Sequence, residues 1–307
     1  MNIYELSNVC KYYSPNSSPA NSEITFQIGE GEIFGLLGDN GAGKSTLIRQ
    51  MVNLLRSSAG EIHFYGKLLS EQSLELPLRV GYMPQRQAAV NQLTAREALY
   101  FTAHLRGLSR HDAQIERDRL IDLWQIGQVA DKPAARLSGG EGRLLQLALA
   151  MAASPPVLIL DEPTNELSPQ RRKQVWENLR TVNQQQGTTV IFITHDAIEA
   201  EKIIQRVGIL HQSKLLAIGK PSDLKRQIDH QLRLELHFSP DSPPALNPAL
   251  AITRLDGGRW LVSLKQNQVE ETLASLDLSK IDDFKLYSAT LEDLYLHVAG
   301  VGDRRGG

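Results

Sequence analysis

Over the first 220 residues, short apolar runs alternate with segments whose apolar positions fall three and four apart. That alternation predicts a mainly parallel sheet covered by helices, since each return to a parallel neighbour needs a crossover. The clearest strands are "EIFGLLG" (32–38), "PVLILD" (156–161) and "TVIFITH" (189–195), each an apolar run bounded by polar or turn signals. No convincing strand lies between "YMPQR" (82–86) and "LSGG" (137–140). "TAREALYFTAHLRGL" and "QIERDRLIDLWQI" have helical spacing there, which predicts a helical subdomain inserted at about residues 86–150. "GKPSDLKRQIDH" (219–230) breaks the pattern and reads as a boundary. Beyond it come a strand ("LRLELHF"), a loop ("DSPPALNP") and a hairpin ("ITRLDGGRWLVSL") turning at Asp256-Gly257-Gly258. A helix ("QVEETLASL"), a strand ("DDFKLYS") and a last helix ("LEDLYLHV") complete a small α+β domain over 231–300, after a core domain over 1–225.

Composition narrows the partners more than the fold. The 307 residues carry 33 Lys plus Arg and 35 Asp plus Glu, a net charge of −2, which gives no electrostatic reason to expect nucleic acid. The single cysteine, Cys10, excludes an intrachain disulfide and points to a reducing compartment. "MNIYELSNVC" lacks the basic start and apolar core of a secretory signal. The longest apolar candidate, "LLQLALAMAASPPVLIL" (144–160), is broken by Pro155-Pro156 and reads as a helix followed by a buried strand. The chain is therefore not expected to cross a membrane by itself.

The candidate chemistry begins at "GDNGAGKST" (38–46), which fits G-x-x-x-x-G-K-[ST] through Gly38, Gly43, Lys44 and Ser45. An apolar strand precedes it and an amphipathic helix, "STLIRQMVNLL", follows. In such a loop the backbone N–H groups of Asn40, Gly41, Ala42, Gly43 and Thr46 surround a polyphosphate, aided by the positive helix end. Lys44 is expected to reach the β- and γ-phosphates and Ser45 to ligate Mg2+. "VLILDE" ends a buried strand on two carboxylates that point in opposite directions. Asp161 is expected to hold the magnesium shell, and Glu162 to accept the proton of an attacking water. His195 closes a third strand on the same edge, where a side chain can meet the γ-phosphate and the water. Gln85 completes the set as a neutral group for water and Mg2+. The other seven histidines share no metal-ligand spacing with a Cys or an acid pair.

"LSGGEGR" (137–143) poses a second question. Ser138 followed by Glu141 is a capping box for the helix "GRLLQLALAMA". A cap does not need two glycines, however, whereas an anion approaching the backbone N–H groups does. The loop at 38–45 already serves one nucleotide, so this cradle is free for another.

Taken together, residues 1 to about 225 resemble the nucleotide-binding domain of the ABC transporters: an early aromatic, "GDNGAGKST", Gln85, "LSGGEGR", "VLILDEPTN" and "THD" occur in the family's order. The resemblance implies a P-loop NTPase core of α/β class that binds and hydrolyses ATP with Mg2+. It implies that two copies pack head to tail, with Ser138, Gly139 and Gly140 of one meeting the γ-phosphate held by Lys44 of the other. It implies that Tyr13, or alternatively Tyr12, stacks on adenine. "SATLEDLYLHVAG" (288–300) is similar to the S-L-E-D-[VL]-[FY] closing motif of exporter-type ATPase subunits, whose transmembrane permease subunits are separate chains. That places the chain at the cytoplasmic face of a membrane, with a regulatory or dimer-bracing role for the terminal domain.

Three departures stand out. Glu141 replaces the family's Gln, and is expected to turn back onto its own helix start, away from ATP. Ser168 replaces an Asp, which keeps the helix cap but loses a charge that helps couple the two sites. "YYSPNSSPANSEITF" is long and polar where the second strand begins, and is expected to form a flexible loop. Two rivals are weaker. A soluble ABC ATPase acting on nucleic acid or ribosomes would carry a coiled-coil insert, zinc cysteines or two ATPase domains, and a GTPase would carry N-K-x-D. Neither signature is present.

Overall fold

The computed structural model describes residues 1–14, 17–85, 90–194, 201–228, 231–240, 242–288 and 290–298. The chain divides into two compact units, Met1–Lys220 and Pro221–Gly307.

The first unit holds two sheets. Strands β1 (Asn2–Lys11), β2 (Asn21–Gly29), β4 (Ala59–Phe64) and β5 (Lys67–Leu68) form an antiparallel sheet in the order β2-β1-β4-β5. The pattern of apolar runs does not reveal this sheet. Its strands alternate, with Ile24, Phe26 and Ile28 of β2 buried between exposed neighbours, as in a sheet with one wet face. The second sheet contains β3 (Ile33–Leu37), β6 (Val80–Met83), β7 (Val157–Asp161), β8 (Thr189–Ile193), β9 (Arg206–His211) and β10 (Lys214–Gly219), in the order β10-β9-β3-β8-β7-β6. Every neighbour pair is parallel except β9–β10. β3, β7 and β8 are buried at every position, which is why they read as unbroken apolar runs.

Helix α1 (Lys44–Met51) lies between the sheets: its Leu47, Ile48 and Met51 share one core with Ile3, Tyr4 and Leu6 of β1 and with Phe34, Ile159 and Ile191 of the parallel sheet. The Tyr4 hydroxyl donates to Met51 O at 3.0 Å, which satisfies one carbonyl of the last helical turn, and burial drives the phenol pKa upward. The parallel sheet's other face takes α6 (Pro169–Gln186), with Trp176 packed 5.0 Å from the Phe192 ring of β8.

A short helix, α2 (Leu76–Arg79), precedes β6. Between β6 and β7 come α3 (Ala95–Leu105), α4 (Arg110–Trp124) and α5 (Gly139–Met151), with no strand among the described residues. Their ends are set locally. Thr94 and Glu97 form a capping box on α3, and Ser109 caps α4, each cap contributing about 1 kcal/mol. At the far end of α5, Arg106 donates to the carbonyls of Leu149, Ala150 and Ala152 at 3.2, 2.8 and 2.8 Å. Burial brings its pKa down to about 10. α5 then packs on β6 and β7, which ties the helical insert to the sheet. No described helix is long and apolar enough to cross a membrane.

The second unit begins with α7 (Pro221–Ile228). It contains a four-stranded antiparallel sheet, β12 (Ala251–Leu255), β13 (Arg259–Lys265), β11 (Gln231–His237) and β14 (Asp283–Ser288), in that spatial order. Leu234, Leu236, Phe238, Val262, Leu264 and Leu276 form its core, with partly buried Val269 and Leu273 of α8 (Val269–Ser275) packed on it. Arg233 pairs with Asp293 of α9 (Leu291–Val298), whose other carboxylate oxygen accepts from Thr290 N at 2.8 Å and so caps that helix.

Candidate functional site

The carboxyl ends of the parallel strands bring the candidates together, as expected for sites on open α/β sheets. β3 ends at Leu37 and the chain turns through Gly38–Gly43 into α1. Gly43 has φ 100, and a Cβ there would lie 2.1 Å from Ala20 O, so only glycine lets this turn pass the neighbouring backbone. Asn21, fully buried, braces the turn by donating to Gly43 O at 3.1 Å. In the first unit, the longer helices α3, α4, α5 and α6 each start on a Ser or Thr whose hydroxyl accepts a helix N–H, whereas α1, like the one-turn α2, has no side-chain cap. The positive end of α1 is thus left for an outside acceptor, which fits a phosphate.

Lys44 is 6% exposed, and its Nζ donates to Gly38 O at 2.7 Å and Asp39 O at 2.8 Å, closing the loop on itself. Burial lowers its pKa, while Glu162, Asp161 and Asp39 oppose that shift. Around it Ala42 is buried, Ser45 and Thr46 are half-buried, and Asn40 and Gly41 are exposed. The Tyr13 hydroxyl sits 3.1 Å from Thr46 Oγ1, which brings this exposed ring to the rim of the loop, with Lys11 Nζ 5.8 Å from the ring centroid.

β7 delivers Asp161 and Glu162 to the same edge, 3% and 6% exposed. The Asp161 carboxylate is hydrogen-bonded by Ser45. Burial raises its pKa, and the Ser45 bond works against that. A buried carboxylate and a hydroxyl side by side are the hard oxygen donors a magnesium ion takes, so this pair fits one. Glu162 has φ 55, and its peptide is held from both sides: its N–H donates to Ile193 O at 3.0 Å, and its carbonyl accepts from Arg143 Nη2 at 2.6 Å. Gln85, exposed, follows β6, and its carbonyl accepts from Arg143 Nη1 at 3.2 Å. His195 lies outside the described residues; Thr194 before it is buried.

The second cradle opens α5. Ser138 caps the helix, accepting from Glu141 N at 3.4 Å, while Glu141 Oε2 accepts from Ser138 N and Ser138 Oγ, both at 2.8 Å. Glu141 is therefore turned back onto its own helix start, and the bond from the Ser138 backbone, then that from its hydroxyl, lower its pKa. The glycine pair divides. A Cβ on Gly139 would meet Glu166 Oε2 at 2.2 Å, so a neighbouring side chain in the same copy already presses on that position. A Cβ on Gly140 would make only ordinary contacts, 3.4 Å from Glu166 O and 3.6 Å from Leu167. Nothing among the described residues demands glycine at 140, in keeping with a ligand from outside.

Arg143, Asn21 and Glu166 belong to this site and were not singled out from the sequence. Arg143 alone left a trace, as a lone guanidinium on an otherwise apolar helix face. Asn21 and Glu166 sit in loop-like sequence with no signal of their own.

Known proteins resemble this chain in sequence and in fold. Residues 22–165 match the ABC transporter family. The daunorubicin resistance ATP-binding protein of Streptomyces coeruleorubidus is 31% identical over 92% of this chain and 91% of its own length. The linearmycin resistance ATP-binding protein of Bacillus subtilis is 30% identical over 89% of this chain and 85% of its own. ATP-binding cassette sub-family A member 7 of Rattus norvegicus is 31% identical over 96% of this chain, which spans only 14% of that relative's length. Among solved structures, an ATP-binding subunit of an ABC transporter superposes with TM-score 0.68 at 26% identity, over 73% of this chain and 92% of that one. A dimeric ATP-binding cassette in a post-hydrolysis state, bound to ADP and Pi, superposes with TM-score 0.66 at 23% identity, over 71% and 98%. With relatives of this identity matched along most of both chains, the chain belongs to the ABC transporter family, among its ATP-binding proteins.

Proposed function

We propose that this chain is the ATP-hydrolysing subunit of a membrane exporter and works as a sandwich of two copies. One observation carries the reading: an uncapped helix start closed by Lys44 lies beside the buried Asp161–Glu162 pair, while a separate, Ser138-capped helix start in the same chain carries a glycine at 140 with room beside it. Lys44 and the N–H groups of 40–46 bind the phosphates, and Tyr13 covers the adenine. Ser45, Asp161 and Gln85 hold magnesium, whose charge would offset that of the phosphates. Glu162, with His195 beside the γ-phosphate, takes the proton from water. Ser138, Gly139 and Gly140 of the second copy complete the pocket, and closure dries it, so the same charges count for more.

The exporter reading draws on the resistance proteins among the relatives and on the closing motif of the tail. We assign the separate transmembrane subunits to the first unit. An apolar groove runs between α2, β6 and α3, lined by Leu54, Leu76, Leu78, Tyr82 and Leu105, with Leu54 68% and Leu105 80% exposed. Large apolar side chains left in water mark a docking surface, and β6 leads from this groove to Gln85. The chain is then peripheral to the cytoplasmic face, and the near-neutral charge supports no nucleic-acid partner.

The test is kinetic and physical together. ATP hydrolysis per chain should rise with protein concentration until the two-copy form saturates, and a multi-span hydrophobic protein should co-purify from membranes. Full turnover by a strictly monomeric chain at every concentration would refute the sandwich.

Ser168 offers a finer check. Its hydroxyl accepts from Arg171 N at 3.5 Å and caps α6. Aspartate caps as well as serine, so Ser168→Asp changes charge without removing the cap. A gain of about 3-fold in rate, or a higher Hill coefficient, is expected, on the scale of one partly exposed charge pair. Steady-state kinetics with both values unchanged would leave Ser168 without a coupling role.

A further inference from the structure

Arg143 is 6% exposed, yet among the described residues none of its hydrogen bonds goes to a carboxylate oxygen. Its guanidinium instead donates Nη2 to Glu162 O at 2.6 Å and Nη1 to Gln85 O at 3.2 Å and Gln146 Oε1 at 3.0 Å. The two carbonyls lie just past the ends of neighbouring parallel strands, β7 and β6, where the chain leaves the hydrogen-bonded ladder. The Glu162 carbonyl is buried and needs donors from outside the ladder; one rigid fork reaches it and the Gln85 carbonyl together. Arg143 also lies about one turn along α5 from the Gly139–Gly140 start, so the helix that opens on the glycines holds the peptide of Glu162 in its next turn.

We propose that Arg143 is a positioning residue for hydrolysis: it ties the start of α5 to the Glu162 and Gln85 peptides, so that Glu162 is aimed only when α5 is seated. The backbone at Glu162 is the place where such a tie matters. Its φ of 55 is a conformation non-glycine residues seldom hold unaided. The N–H side is fixed by Ile193 O of β8, and the carbonyl side by Arg143 Nη2 at 2.6 Å and, more weakly, by Asn165 N at 3.3 Å within the turn itself, so that Arg143 is the tie from α5. A shift of α5 by a fraction of an ångström, as a second copy seats on the glycines, therefore reaches the carboxylate through one peptide unit. Burial lowers the pKa of the guanidinium, and the charges of Glu166, Asp161 and Glu162 nearby oppose that shift.

This inference rests on Glu162 being the base, and the experiment separates the two. ATP hydrolysis and binding of a fluorescent ATP analogue are measured on the full chain for Arg143→Met, Arg143→Lys and Glu162→Gln. Arg143→Met should lose about 10-fold or more in kcat while nucleotide affinity stays within about 2-fold, the signature of a contact used in the transition state only. Arg143→Lys, whose single ammonium cannot fork to both carbonyls, should fall about 3-fold or more. It also carries the test should the methionine variant not fold. In a Glu162→Gln background, Arg143→Met should add no further loss, because the two act as a unit. Wild-type kcat in either soluble arginine variant, or a loss wholly in KM, overturns the proposal while leaving Glu162 in place. Full activity of Glu162→Gln overturns the reading beneath it instead.

Discussion

Glu162→Gln is expected to stop turnover while ATP binding persists and a two-copy form accumulates. The substitution keeps shape and peptide: the N–H to Ile193 O and the carbonyl from Arg143 Nη2 are main-chain contacts, so the left-handed turn at 162 should survive. What it removes is the ability to take a proton from water, which general base catalysis makes worth about 10²- to 10⁴-fold in rate. Hydrolysis measured as phosphate release should fall by that factor. Gel filtration with Mg-ATP should show the larger species, because the bridging γ-phosphate is no longer lost. A variant that turns over normally would take Glu162 out of the reaction.

Lys44→Ala should act at the earlier step. The ammonium is buried, closes the loop through Gly38 O and Asp39 O, and is the cation nearest the mouth of α1. Without it the loop carbonyls lose their donor, and an incoming polyphosphate meets Asp161 and Glu162 with one positive charge fewer. A hydrogen bond from a charged group is worth about 1.5–3 kcal/mol, and every 1.4 kcal/mol is about tenfold in affinity. Titration with a fluorescent ATP analogue should therefore show affinity down by about 10- to 100-fold. Binding within twofold of the parent would mean that the backbone N–H groups alone hold the phosphates. The two variants divide the site, one losing chemistry and keeping the ligand, the other losing the ligand first.

Three central strands of the parallel sheet were legible because burial on both faces leaves unbroken apolar runs: "EIFGLLG", "PVLILD" and "TVIFITH" all contain the strands found, at 33–37, 157–161 and 189–193, whereas β6, β9 and β10 were not singled out. The antiparallel sheet was not, since β1 and β2 alternate with period two and β1 carries register shifts that blur even that. The helix start at Ser138 could be read from serine and glutamate three apart, and the structure forms that capping box. The direction Glu141 takes follows from the same spacing.

Contacts between distant segments left less trace. Asn21 reaches Gly43, and Arg143 reaches Gln85 and Glu162 across 58 and 19 residues. No periodicity encodes such reach, because it depends on how a strand end and a helix turn happen to meet in space. The bent backbone at Glu162 was equally hidden, since glutamate gives no local hint of a left-handed conformation.

The bonds at the head of α5 have a consequence for the order in which things happen there. A hydroxyl owns one hydrogen, and that of Ser138 is given to Glu141 Oε2. To serve an anion arriving on another molecule, the serine must swing that hydrogen away, and one strand of the reciprocal clasp is undone each time. The head of this helix is thus most firmly knotted when nothing sits on it, and docking in the proposed sandwich would begin by loosening it.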